Sequence, residues 1–206
     1  MARKKEVGKN RILDIAYRMA IKNGIKSLTA RSIAKAGNFS TQPIYLEFSN
    51  MTELRDEVLG RISNTLKTKT LKKEFTGKPL IDLDLAYIDF AEKHIKQFKA
   101  MFVDGKFGSK IISDTLRSLG AEKFKEQFPD AEYDDEKIQN IVVANWVTTV
   151  GMASLIINKI ATFSQKQIIN VLSATIHDAA VNDNLNPNKE VKLFEDNDNV
   201  TQSDDA

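Results

Sequence analysis

The chain has 206 residues with no cysteine, four prolines, nine glycines and a formal charge of +2. Its 42% apolar and 28% charged residues exclude a fibrous, low-complexity or collagen-like chain. The lack of cysteine excludes disulfides and thiolate metal sites and suits a reducing compartment.

The length supports one compact core with room for a small extra domain. The basic start, Met1 to Glu6, lacks the apolar stretch of a signal peptide. Residues 141–157 are interrupted by Asn145, Thr148, Thr149 and Ser154, short of the roughly 20 apolar residues a membrane span needs. They read as a helix buried on most sides of a soluble, cytoplasmic protein with no membrane partner.

Apolar residues recur at spacings of three and four and strand-like alternation is absent, so the fold class is all-α. A first helix spans about Lys9 to Lys22, with Ile12, Ala16 and Met19 on one stripe and Asn23-Gly24 as its stop. Thr29 caps a short helix that ends at Gly37-Asn38, and Ser40 starts another that runs to about Glu47. Asn50, with Glu53 three residues on, opens a helix whose Leu54, Val58, Ile62 and Leu66 carry it out of the head to about Lys69.

After Thr76-Gly77-Lys78, Pro79 suits the first turn of a long helix. Ile81, Leu85, Ile88, Ile95, Phe98 and Phe102 mark one face of it. Gly105, Gly108 and Gly120 divide a less regular stretch, and two strong helices close the fold at about 136–161 and 165–180. The expected division is a head over 1–52, a body over 53–181, and an acidic, disordered tail over 182–206.

Charge is segregated along this chain. Up to Ser40, Arg3, Lys4, Lys5, Lys9, Arg11, Arg18, Lys22, Lys26, Arg31 and Lys35 face only Glu6 and Asp14, while the far end is acidic. A basic head on a near-neutral protein is what attraction to phosphate needs.

Two short helices joined by a tight turn suit DNA, because one braces on the backbone while the second offers its N-terminal residues to the major groove. Phe39 in the turn would point inward, and Pro43 is tolerated where a first-turn N–H has no helical partner. Thr41 and Gln42 can hydrogen-bond base edges, Gln42 preferably adenine, and Tyr45 can reach a phosphate. Arg31 can reach guanine or phosphate, and Thr29 at a helix start suits a phosphate oxygen. Lys9 and Arg11 form a phosphate-contacting basic flank.

Leu28 to Lys35, the turn, Ser40 to Tyr45, Phe48, and Asn50 to Leu54 resemble the head of the TetR family, as does Ile12 to Ala16. The resemblance covers about the first quarter of the chain. It implies a three-helix DNA-binding head, a helical effector-binding and dimerisation body, and repression of nearby genes. It places Arg31, Ser40, Thr41, Gln42 and Tyr45 in the DNA-contacting set and Thr29 on a phosphate. Two positions depart from the pattern: Asn38 stands where a turn glycine is usual, and Met51 where a lysine is common.

In such proteins the last two helices pair with their two-fold mates. That assigns Ile141, Val150, Gly151, Ser154, Ile157, Leu172 and Ile176 to a homodimer interface. Tyr87, His94, Phe98 and Met101 form a second stripe on the long helix. Phe102, Phe124, Phe128 and Trp146 would close a pocket for an unidentified small-molecule effector around it.

No catalytic grouping, metal site or cofactor motif is present in the sequence, so an enzyme is not expected. The chain reads as a ligand-responsive repressor on a near-palindromic operator. The competing reading is a TetR-like co-regulator acting through a protein partner.

Overall fold

The computed structural model describes residues 7–103, 109–182 and Leu185. The basic residues Arg3, Lys4 and Lys5, the glycines Gly105 and Gly108, and the tail apart from Asn182 and Leu185 lie outside these.

Every regular element among the described residues is helical. The head begins with α1 (Lys9–Asn23), a 3-10 turn (Ile25–Ser27), α2 (Ala30–Gly37) and α3 (Gln42–Glu47). There follow α4 (Met51–Thr65), prolonged by a wide π turn over Leu66–Thr70, and α5 (Pro79–Lys93). A one-turn α6 (Ile95–Phe98) runs into a second π turn at Lys99–Val103, and α7 (Ser109–Gln127), α8 (Asp135–Ile157) and α9 (Gln165–Asn182) complete the body.

In the head, Gly24 ends α1 at φ 83°, its N–H donating to the Ala20 carbonyl at 2.7 Å. That conformation is cheap only for glycine. Asn50 Oδ1 accepts the Glu53 N–H at 2.9 Å to start α4, while the Glu53 carboxylate reaches back to the Ser49 N–H at 2.7 Å. The second half of the capping box thus lands one residue earlier than its usual target.

Helix α4 belongs to both halves. Leu54, Val58, Ile62 and Leu66 are at most 1% exposed along its length. It is held to α1 by Lys9–Glu57 at 2.5 Å and by Arg61 to Asp14 at 2.7 Å and Asn10 at 2.9 Å. Arg55 Nη2 donates to the Leu28 carbonyl at 2.7 Å. Near its other end the Ser63 and Thr115 hydroxyls meet at 2.7 Å, tying α4 to α7.

The loop before α5 is organised by Asp82, which accepts the Thr76 N–H and hydroxyl, both at 2.7 Å, and the Gly77 N–H at 3.0 Å. Gln127 Oε1, from the end of α7, accepts the Leu80 and Ile81 N–H groups at 2.9 and 3.4 Å. Donors that α5 itself leaves open after Pro79 are satisfied from outside the helix.

The long helix expected from Ile81 to Phe102 is broken at His94, whose φ and ψ of −131° and 44° leave the helical region. The break exposes Ile95 to 40% but turns Phe98 inward, to 2% exposure. The apolar stripe is therefore not continuous: Ile95 is given up so that the following residues can pack on Tyr87.

Gly120 does not divide a stretch either, because it lies within the 19-residue α7. A Cβ there would stand 2.4 Å from Cγ1 of Val142, so the glycine sets how closely α7 approaches α8. Helix α8, long and apolar enough by composition to cross a membrane, packs on α5, α7 and α9, yet only 33% of its apolar window is buried. The expectation of a helix buried on most sides is corrected: Val143, Val147 and Val150 lie open.

Between α5 and α8 sits a polar cluster. Asp84, fully buried, accepts the Asn145 amide N–H at 2.7 Å and the Thr149 hydroxyl at 2.9 Å. Asn145 Oδ1 is buried with no partner. Burial pushes the Asp84 carboxyl from 3.8 up to about 7, against the pull of its two donors.

Two outcomes follow for stability. The folded state holds the Asp84 proton more tightly than the unfolded chain, so this contribution is complete below about pH 4 and is lost as pH rises through about 7. Denaturant midpoints across that window should fall with rising pH, and Asp84→Asn should flatten the trend. Gly120→Ala should destabilise by about 1–3 kcal/mol through overpacking, with part of the loss recovered in the Gly120→Ala/Val142→Ala double variant, as thermal melts would read.

Candidate nucleic-acid interface and body cavity

The α2–α3 turn is built by three neighbours. Thr29 caps α2 through a reciprocal pair with Ser32: its Oγ1 accepts the Ser32 N–H at 3.0 Å, and its own N–H donates to Ser32 Oγ at 2.9 Å. Asn38 takes the left-handed conformation at φ 54°, ψ 51°, which asparagine tolerates better than most residues. Phe39, half-buried, folds its ring back over Gly37, where a Cβ would lie 2.0 Å from Cε1 of Phe39 and 2.8 Å from Cδ1 of Ile15. Gly37 therefore makes room for a ring, while Asn38 supplies the positive φ.

Ser40 does not cap the next helix. Helix α3 begins at Gln42 after Thr41, and no side chain caps it. The Ser40 and Thr41 hydroxyls thus stay uncommitted among the described residues. Ile44 and Phe48 are buried against the head core, which turns Gln42, Tyr45 and Leu46 outward on one face at helical spacing. Tyr45 is 59% and Leu46 77% exposed. Leu46 was not singled out in the sequence, where a leucine inside an apolar-periodic segment reads as core.

The cations of the head differ in their freedom. Arg18, Lys22, Lys26, Arg31 and Lys35 make no side-chain hydrogen bond or ion pair among the described residues. Arg11 Nη2 donates to the Gly37 carbonyl at 3.4 Å, bridging α1 to the turn. Lys9, read from sequence as part of the phosphate-contacting flank, is instead engaged. It pairs with Glu57, which raises its pKa, and stands 5.2 Å from the Phe48 ring centroid. Met51, at the family's lysine position, is half-buried against the head core.

In the body, Tyr87 is the hub of an aromatic cluster, with ring centroids 5.1 Å from Phe98, 4.9 Å from Phe102 and 4.5 Å from Trp146. Beside it lies a cavity of about 420 Å³ walled by Tyr87, Met101, Phe102, Leu116, Val142 and Trp146. Ser113 and Arg117 also line it.

Three of the anticipated pocket residues, His94, Phe124 and Phe128, fall elsewhere. His94 is exposed at the helix break, its ring 5.2 Å from that of Phe90. Phe124 joins Phe128 and Tyr133 at the far end of α7, beside a separate groove of about 690 Å³ next to His177. The helix break and the length of α7 separate what residue type alone had grouped.

The anticipated interface residues divide in the same way. Ile141, Leu172 and Ile176 are at most 5% exposed within this one chain, so they hold α8 and α9 to their own body. Val150, Gly151 and Ser154 are exposed, and Ile157 is half-buried. They share the outer face of α8 with Val143 and Val147, and Val171 lies exposed on α9.

Residues 12–58 match the family of bacterial regulatory proteins described as tetR. No curated protein matches the chain. Among solved structures, a TetR-family transcriptional regulator from Vibrio parahaemolyticus is 14% identical at a TM-score of 0.56, covering 82% of this chain and 96% of that one. A TetR-like regulator from Rhodococcus sp. RHA1 is 16% identical at a TM-score of 0.49, covering 85% and 97%. Residues 12–58 thus resemble the tetR family of bacterial regulatory proteins, and the chain as a whole shares its helical fold with the Vibrio parahaemolyticus structure.

Proposed function

We propose that the protein is a ligand-responsive repressor that works in the cytoplasm as a homodimer on a near-palindromic DNA operator. One observation carries this reading. The outward face of α3 presents Gln42, Tyr45 and Leu46 together, on a head whose Arg31 and Lys35 have no acidic partner among the described residues. Gln42 is suited to adenine, Leu46 to the thymine methyl group, and Tyr45 with Arg31 and the Ser40 and Thr41 hydroxyls to phosphates or base edges. Thr29, spent on its cap, still offers the start of α2 to a phosphate. Pro43 keeps the first turn of α3 free of a wasted donor.

Two heads must sit about 34 Å apart to enter successive major grooves. The outer face of α8, with Val143, Val147, Val150 and Gly151, is the surface we assign to the second copy. Gly151 has open space around it, which lets another helix approach closely.

Coupling of effector to DNA would run through the segment 95–103. Met101 lines the 420 Å³ cavity and also a smaller one of about 310 Å³, where Tyr17, Arg18 and Ile21 of α1 face Thr65 and Leu66. A ligand that moved Met101 would press on the joint between head and body. By linkage, operator DNA must weaken effector binding by the same factor.

Selection from a random DNA pool tests the reading directly. Recovery of a two-fold motif is the expected result, and recovery of none favours regulation through a protein partner. On the selected site, Gln42→Ala should relax preference at one base pair per half-site, at a cost of about 1–3 kcal/mol. Arg11→Ala should weaken all sequences alike and lower the salt slope by about one. In sedimentation, the protein should run at twice its 23.2 kDa chain mass. Val147→Glu should run as a folded monomer with operator binding lost; a dimer unaffected by that change would move the interface elsewhere.

A further inference from the structure

We infer that the 420 Å³ cavity takes an apolar organic carboxylate, its anionic head at Arg117 and its hydrocarbon body against Tyr87, Phe102 and Trp146. The inference rests on the reading of this cavity as the effector site and adds the chemistry of the ligand.

Three features of the cavity carry it. Its walls are aliphatic and aromatic, from Met101, Phe102, Ile112, Leu116, Val142 and Trp146, and its volume lies in the range of small-molecule sites. Among its described lining residues Arg117 alone is charged, and none is a carboxylate. The guanidinium is uncommitted at its fork: its Nε donates to Gln139 Oε1 at 3.2 Å, and it forms no ion pair among the described residues. The two terminal nitrogens are the donors that match a carboxylate in bidentate fashion.

Inside, Tyr87 is only 2% exposed, and its hydroxyl has no hydrogen-bond partner among the described residues. Tyrosine hydroxyls buried in proteins usually find one. Because the residue lines the cavity, that hydroxyl is left to an oxygen of the ligand or to a water beside it. Burial holds the phenol proton on, so the hydroxyl stays neutral and remains able to donate.

A neutral apolar ligand would make no use of the terminal nitrogens of Arg117, and a strongly polar ligand would strip water from its own groups against apolar walls. An amphipathic acid satisfies both ends. Asp84, three residues before Tyr87 on α5, does not line the cavity and is turned to Asn145 and Thr149.

Trp146, the single tryptophan of the chain, stands in the wall and reports occupancy by its fluorescence. The full-length protein would be titrated with decanoate and with decanol, below their aggregation limits, and again as Arg117→Gln. The expected result is saturable binding of decanoate at least tenfold tighter than decanol. Arg117→Gln, at an exposed position and checked for folding by circular dichroism, should remove about that factor for decanoate and leave decanol unchanged.

Equal affinity for the two probes, or decanoate binding untouched by Arg117→Gln, overturns the carboxylate. Decanol binding without decanoate overturns it too, while leaving the cavity as an effector site. If decanoate binds through Arg117 but never alters operator affinity, the ligand class stands and the effector reading fails. If neither probe perturbs Trp146, both are lost.

Discussion

Everything the head can do for the body depends on the grip between α1 and α4. The grip is mainly apolar: Ile12 and Ala16 on one helix and Leu54, Val58 and Ile62 on the other are almost wholly removed from water. Each of the larger side chains, Ile, Leu or Val, contributes about 1.5–3 kcal/mol when buried. The charged contacts across the same seam, Lys9–Glu57 and Arg61–Asp14, are partly solvated and add little. They fix the register of two helices that burial holds together. The head is therefore anchored on α4, the helix that runs on towards the body.

The cost of that arrangement shows in how the basic residues are used. Lys9 and Arg11 come from the same cluster as Arg31 and Lys35, but the first closes the α1–α4 seam and the second braces the turn at Gly37. The positive charge of the head is thus a sum over residues with different duties. Met51 follows the same logic, trading a cation for apolar contact at the start of α4.

The body carries a contrasting constraint. Asp84, Asn145 and Thr149 bury a polar cluster between α5 and α8, where an apolar contact would have been simpler. A hydrogen-bonded cluster fixes one relative position of two helices, whereas apolar surfaces can slide. Tyr87 follows Asp84 by one turn on α5, and Trp146 adjoins Asn145 on α8. The cluster thereby sets the distance between two walls of the cavity.

The sequence by itself determined the helices whose signals are local. Gly24, Thr29, Asn50 and Pro79 each mark a boundary because capping and φ restrictions act within a few residues. The head was legible for the same reason, since the caps and the turn between Thr29 and Asn50 are set by residues close in the chain. Decisions between distant residues were not legible. Ile141, Leu172 and Ile176 have the composition of an interface, and only packing shows that their own chain uses them up. Phe124 and Tyr87 are both aromatic, and the length of α7 puts them in different places. The break at His94 follows from Phe98 meeting Tyr87, and the glycine at 120 from Val142 across the seam. Periodicity says that a side chain faces inward, but which partner it meets there is a property of the assembled helices.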